Sequence, residues 1–152
     1  MRTSLLLLLP GALATACASS QPAEHLDHQG RRRGYYRTYY DDARSQLLTR
    51  GRYRRGQPVG RWHYYAQAGS LQRRERYRRH GFSDITYYSP TGQVARRGRG
   101  RTVDEPDGAH FYWLGEWQCY SLAGTLDSVQ VYKLGKLTST NYLTGKRKLA
   151  GN

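Results

Sequence analysis

Aromatic residues recur along this chain in short bursts, each followed by three spacer residues, a glycine, one further residue and an aliphatic. Trp62-His63-Tyr64-Tyr65 leads through Ala66-Gln67-Ala68 to Gly69 and Leu71. Tyr87-Tyr88 leads through Ser89-Pro90-Thr91 to Gly92 and Val94, and Trp117-Gln118-Cys119-Tyr120 leads through Ser121-Leu122-Ala123 to Gly124 and Leu126. Asn141-Tyr142-Leu143-Thr144-Gly145 begins a further copy with a shorter turn, and Tyr39 to Leu47 is a degenerate first copy without the glycine. A second phase falls between these, in which Tyr53-Arg54-Arg55-Gly56, Tyr77-Arg78-Arg79-His80-Gly81 and Tyr132-Lys133-Leu134-Gly135 each set a tyrosine shortly before a glycine.

Successive side chains of a strand point to opposite faces, so Trp62 and Tyr64 on one side and His63 and Tyr65 on the other predict aromatics on both. A four-residue connection ending in glycine fits a type I turn whose last residue takes positive φ. Pro90 stands where that turn already fixes φ. The pattern therefore predicts successive β-hairpins, with Leu71 to Tyr77 returning as the partner of the Trp62 strand. Hairpins this small are unstable singly and must pair edge to edge with their neighbours. No stretch after Cys17 carries the three-and-four apolar spacing of a long helix. The predicted fold is all-β, an elongated single-layer antiparallel sheet of hairpins over 35–149.

The copies are separated by 23, 32 and 22 residues, counted from Tyr65 to Tyr88 to Tyr120 to Tyr142. The long interval holds Arg101-Thr102-Val103-Asp104-Glu105-Pro106-Asp107-Gly108-Ala109, which reads as an inserted acidic loop over 101–109. Gly100 stands where the pattern calls for a tyrosine.

Composition sharpens this picture. Tyrosine, with 14 copies, is the leading apolar residue beyond the leader, and 17 glycines accompany it in a chain of 152 residues. Large aliphatics are too scarce for a thick core, whereas a ring with a polar tip suits half-buried positions on a thin sheet. The net charge is +14 and is unevenly spread. Between Arg31 and Arg101 stand 19 arginines against 4 acids, while from Thr102 onward 5 bases balance 5 acids.

The start of the chain bears on where it works. Met1-Arg2-Thr3-Ser4 is a short basic start, and Leu5 to Leu13 is an apolar segment shorter than the ~20 residues of a spanning helix. Ala14-Thr15-Ala16-Cys17 follows and resembles a bacterial lipobox, which makes 1–16 a lipoprotein-type signal peptide and Cys17 the lipidation site. Residues 17–34 then read as a flexible tether, and the chain as an envelope protein anchored to a bacterial membrane outside the cytoplasm. A plain A-x-A cleavage site gives instead a soluble secreted protein with a free cysteine at its start.

The run Tyr-x-x-Gly-x-x-x-Gly-x-Trp-x-x-Tyr-x-x-x-Gly-x-Leu from Tyr53 to Leu71 resembles the bacterial variant of the MORN repeat, over roughly Tyr35 to Lys148. The resemblance implies an elongated, single-layer antiparallel sheet. Some relatives are labelled antitoxins of toxin–antitoxin pairs, a role that requires an intracellular chain.

Chemistry-bearing motifs are sparse. There is no Gly-x-Ser-x-Gly elbow, phosphate-cradling glycine loop or His-Glu-x-x-His. His25, His28, His63, His80 and His110 are scattered. Asp104, Glu105 and Asp107 suit weak Ca²⁺ binding or, more simply, a solvated loop. Cys119 has no partner if Cys17 is acylated, and suits a small buried apolar residue. No catalytic residue, metal or cofactor is implied, nor a small-molecule substrate. The basic half carries the functional hint. Arg31-Arg32-Arg33, Arg54-Arg55, Arg73-Arg74, Arg78-Arg79 and Arg96-Arg97 recur with the repeat, and arginine beside tyrosine can stack on rings and fork to anions. Of these, Arg54, Arg55, Arg73, Arg74, Arg78 and Arg79 form the candidate anion-binding site, with an anionic lipid, an acidic glycan or an acidic protein as partner. Nucleic acid is not expected for an exported chain. Equally, such arginines can serve only to coat a thin sheet and keep its edges from pairing with strangers.

Overall fold

The computed structural model describes residues 25–143, and these form nine strands in one antiparallel sheet whose spatial order is the order of the chain. The strands are β1 (Gly34–Tyr39), β2 (Leu47–Arg54), β3 (Gln57–Tyr65), β4 (Leu71–Tyr77), β5 (Phe82–Tyr88), β6 (Val94–Glu105), β7 (Gly108–Tyr120), β8 (Leu126–Lys133) and β9 (Lys136–Tyr142). The all-β hairpin sheet expected from the aromatic pattern is what forms, and β4 spans the predicted return strand. The signal segment 1–16, Cys17, the tether to residue 24 and the end of the repeat region beyond Leu143 lie outside the described residues. Among the described residues no helix is long and apolar enough to cross a membrane.

The turns follow the two phases of the sequence. Ala66 N–H donates to Ser70 O at 2.9 Å and Gly69 N–H to Ala66 O at 2.8 Å, with Gly69 at φ 84°. The same bonds recur in the turns at Ser89 and Ser121. In the degenerate first copy Arg44 takes the glycine's place at φ 57°. That left-handed backbone disfavours a side chain, and the Asp41 carboxylate holds it by accepting from Ser45 N–H, Ser45 Oγ and Gln46 N–H at 2.7–2.9 Å. The second-phase turns place two residues at positive φ, as at Arg55 (52°) and Gly56 (77°), the conformation that two-residue hairpins favour.

Two stretches differ from the sequence reading. Residues 101–109 are not a loop: β6 and β7, at 12 and 13 residues, are the longest strands, and Thr102 to Glu105 pair with Gly108 to Phe111. Pro106 and Asp107 alone make the reversal, so the extra residues lengthen a hairpin. Gly100 stands where a tyrosine was expected because a Cβ there would press on the Phe111 ring and Ile85. The second difference lies at the start. The tether expected over 17–34 gives way by His25 to a hydrogen-bonded turn. Leu26 bridges Arg32, Arg33 N–H donates to His25 O at 2.7 Å, and the Asp27 carboxylate accepts from Gln29 N–H, Arg31 N–H and Arg31 Nε. Gly56 N–H, donating to Arg32 O at 2.9 Å, fastens this turn to the β2–β3 hairpin.

One face of the sheet is aromatic and supplies the core. Trp117 (0 % exposed), Ile85 (1 %) and Trp62 (4 %) are its buried apolar residues, with Ser83, Ser128 and Glu75 buried among them. Trp113 stacks on Trp117 with centroids 3.9 Å apart, and Tyr132 meets Trp113 edge-on at 5.0 Å. Arginines are threaded between rings: Arg73 lies 4.0 Å from Tyr64 and 5.8 Å from Tyr87, and Arg96 lies 6.0 Å from Tyr87 and 5.5 Å from Trp113. Such contacts contribute roughly 0.5–2 kcal/mol each according to how dry they are. Glu75 anchors this run, accepting from Tyr64 Oη at 3.1 Å and lying 3.2 Å from Arg73 Nε. The Nε–H does not point along that line, so this contact is a coulombic pair and not a hydrogen bond.

Candidate anion-binding face

The opposite face is built by the same register. Arg37 stands across from Arg50, Arg50 from His63, His63 from Arg74, Arg74 from Thr86, and Thr86 from Arg97. Two residues along the strands, and therefore on the same face, a second row runs Arg61, Arg76, Asp84, Arg99 on β3 to β6. Arg52 on β2, across from Val59, and Arg101 on β6, across from Phe82, lie on the same face beside that row. Neighbouring strands of a sheet lie about 4.7–4.9 Å apart, so these guanidinium groups form a dense lattice. Two adjoining shallow depressions open on it. One is lined by Arg37, Arg50, Arg52, Arg61, His63 and Arg76, the other by Arg61, His63, Arg74, Arg76, Arg78 and Asp84 among others.

Rings brace the lattice along one border. Arg50 lies 5.6 Å from the Tyr65 ring, Arg74 6.0 Å from Tyr88, and Arg97 5.5 Å from Tyr120. In each case the tyrosine is the last aromatic of a repeat copy, so the repeat spaces the pairs. Arg97 Nε also donates to Gln118 Oε1 at 2.7 Å. Acids are few here. Asp84 takes Arg78 at 2.6 Å and Arg99 at 3.6 Å, and Glu116 stands across from Val131. The His63 imidazole sits among arginines and has its pKa lowered, first by burial and then by Arg50, Arg74 and Arg61.

The structure divides the six arginines singled out from sequence. Arg74 belongs to the lattice, and Arg78 reaches its rim through Asp84. Arg73 turns to the aromatic face, against Tyr64 and Glu75. Arg54 closes β2 across from Gln57 and, two residues on from Arg52, lies at the edge of the basic face, whereas Arg55 lies at the β2–β3 turn and Arg79 at the β4–β5 turn. The lattice residues outside those six are Arg37, Arg50, Arg52, Arg61, Arg76, Arg97, Arg99 and Arg101, of which Arg97 alone belongs to a recurring dipeptide, Arg96-Arg97. For all but Arg37 and Arg61 the signal is spacing by two, in Arg50-Gly51-Arg52, Arg74-Glu75-Arg76 and Arg97-Gly98-Arg99-Gly100-Arg101.

Elsewhere, Glu105, Asp107 and His110 meet at the tip of the β6–β7 hairpin. His110 Nε2 lies 2.8 Å from Asp107 Oδ1, and Tyr112 Oη donates to Glu105 Oε1 at 2.9 Å. These bonds fasten the hairpin end. Cys119 is half-buried, across from Ser128 on one side and Arg96 on the other. No protein-family model matches this chain, and neither does a curated protein or a solved structure.

Proposed function

We propose that this chain is a non-enzymatic lipoprotein of the cell envelope, held at Cys17, whose basic sheet face is a binding surface for anionic partners. The observation that carries the reading is the arginine lattice. Like charges directly opposite in a sheet are destabilising, yet Arg37 faces Arg50 and Arg61 faces Arg76. A sheet that only needed solubility is better served by mixed signs. The lipobox-like start supports the tether and the envelope location, and the aromatic repeat supports a MORN-like scaffold. In this reading no cofactor and no small-molecule substrate take part.

Three measurements test it. Cys17→Ser is expected to leave uncleaved precursor and to release the protein from the membrane fraction, and mass spectrometry of the mature N-terminus identifies an acylated Cys17. Retention of the protein on anionic vesicles or acidic glycan resin is expected to fall steeply with salt, because exposed charges are screened over about 10 Å at 0.1 M. Equal retention at low and high salt refutes the binding surface, and a processed, membrane-bound Cys17→Ser product refutes the anchor.

A further inference from the structure

We infer that the two arginine rows are a track for a single strand of a linear acidic polysaccharide, lying across the β-strands. This deepens the anion-binding reading above and rests on it. The rows cross the sheet at right angles to the strands, and β2, β4 and β6 each offer at least two outward arginines. Each step advances by one strand spacing, about 4.8 Å, which is close to the advance of one sugar along an extended uronic acid chain. A polymer laid over the rows thus meets a fresh fork of guanidinium N–H donors at nearly every unit.

Shape separates this partner from a bilayer. Open sheets twist by roughly 20–25° per strand, so a planar headgroup surface meets a few strands only, whereas a flexible chain can follow the turn. Chemistry separates it from an acidic peptide. The bracing rings of Tyr65, Tyr88 and Tyr120 lie along the border of the rows at repeat spacing. Each ring lies within 6.0 Å of its guanidinium and sets an apolar surface beside it for the C–H face of a sugar. Pre-positioned arginines lose less freedom on binding and take carboxylates two bonds at a time. Asp84, in the second row, marks an interruption on β5, where a substituent that is not anionic fits best.

The experiment uses the mature chain with Cys17→Ser, so that acylation plays no part, and polygalacturonate as probe. Its trimer, polyglutamate and phosphatidylglycerol vesicles serve as comparisons. Long polygalacturonate is expected to bind at least about 100-fold tighter than the trimer, because successive units act as linked sites. The triple variant Arg50→Gln/Arg74→Gln/Arg97→Gln should bind at least about tenfold more weakly, while Arg44→Gln/Arg55→Gln/Arg79→Gln, with the same charge removed from the turns, should stay within about threefold. Arg97→Lys keeps the charge and fold but loses the fork, and should weaken binding by about three- to fivefold. Affinity independent of polymer length, or equal weakening of the row and turn variants, overturns the track. Tighter binding of polyglutamate or vesicles overturns the polysaccharide while leaving an anion-binding face. Salt-independent binding, or no binding, to all four probes sinks the anion reading itself.

Discussion

Trp117 lies across the bare backbone of Gly98 on the neighbouring strand, and its indole Nε1 donates to the carbonyl of Arg99 at 3.1 Å. Trp62 does the same over Gly51, donating to Arg52 O at 3.3 Å. At both places the register slips, so that one glycine faces a Gly-x-Trp segment. The two faces of the sheet are coupled through this device. Because the glycine is turned to the tryptophan, its neighbours Arg50 and Arg52, or Arg97 and Arg99, must point the other way. Packing of the aromatic face thereby aims the basic one.

Gly98→Ala should therefore disturb both faces. A Cβ at that position would overlap the Trp117 indole, and overpacking of this kind costs about 1–3 kcal/mol. The expected readouts are a lower melting temperature and a red-shifted tryptophan emission, with the same for Gly51→Ala. An unchanged melting temperature and emission would show that the close approach does not matter.

Glu75 is the buried acid of the aromatic face, at 5 % exposure. Glu75→Ala removes the counter-charge of Arg73 and leaves the Tyr64 hydroxyl only its 3.4 Å contact with Tyr77 Oη, and should destabilise by about 2–4 kcal/mol. Glu75→Gln retains an acceptor for Tyr64 and should lose about half as much. Denaturant titration of both variants separates the charge from the hydrogen bond. Equal stability of the alanine variant and the parent would remove Glu75 as an anchor.

Burial pushes the Tyr64 hydroxyl up to about 12, with the Glu75 charge and the bond to Glu75 adding to the rise. Burial, then the Tyr64 contact, raises Tyr77 as well. Unfolded tyrosine titrates near 10, so between these values the native state holds more protons. Stability from these groups should be intact below about pH 10 and fall as pH rises through about 12. Absorbance of the phenolate should show a late-titrating class that is lost in Tyr64→Phe/Tyr77→Phe.

His63 behaves in the opposite sense. Its pKa is lowered by burial and by Arg50, Arg74 and Arg61, so the unfolded chain takes up this proton first. Its contribution to stability should be complete above about pH 6.5 and diminish as pH falls below it. A bound polyanion reverses the local field, so binding at pH 6 should be accompanied by proton uptake that His63→Gln abolishes. Calorimetry in buffers of different ionisation enthalpy measures that proton.

Relief of like-charge pairing gives a stability gain at the expense of binding. Arg61→Gln removes the repulsion between Arg61 and Arg76 and should stabilise by about 0.2–1 kcal/mol, while weakening retention on an anionic resin. A melting temperature that falls, with retention unchanged, would contradict the lattice as a place where charge is held against stability.

The hairpins were legible because glycine and proline at fixed offsets carry turn geometry locally, as at Gly69 and Pro90. The return strand Leu71–Tyr77 followed from that alone. Residues 101–109 were misread because acidic side chains, Pro106 and Gly108 resemble loop composition, whereas Thr102 and Val103 find partners only across the sheet, at Phe111 and His110. The basic face was half visible. Counting arginine dipeptides picked out Arg73-Arg74, which the pleat sends to opposite sides, and passed over pairs spaced by two, which it keeps together. His25 to Arg33 carries no tether-breaking pattern in sequence, because its order comes from the Asp27 carboxylate gathering nearby backbone and from the distant Gly56 N–H bonded to Arg32 O.

In this sheet no strand waits for a distant partner, since each is hydrogen-bonded only to those immediately before and after it in the chain. Local pairing of this kind avoids the slow closure of long loops. The protein can therefore assemble in the order of its synthesis, each new ribbon templated by the last, from whichever channel delivers it. By the same logic, hairpins could be added or lost at the β9 end without redesign of the rest, and the reach of the molecule would change by whole increments.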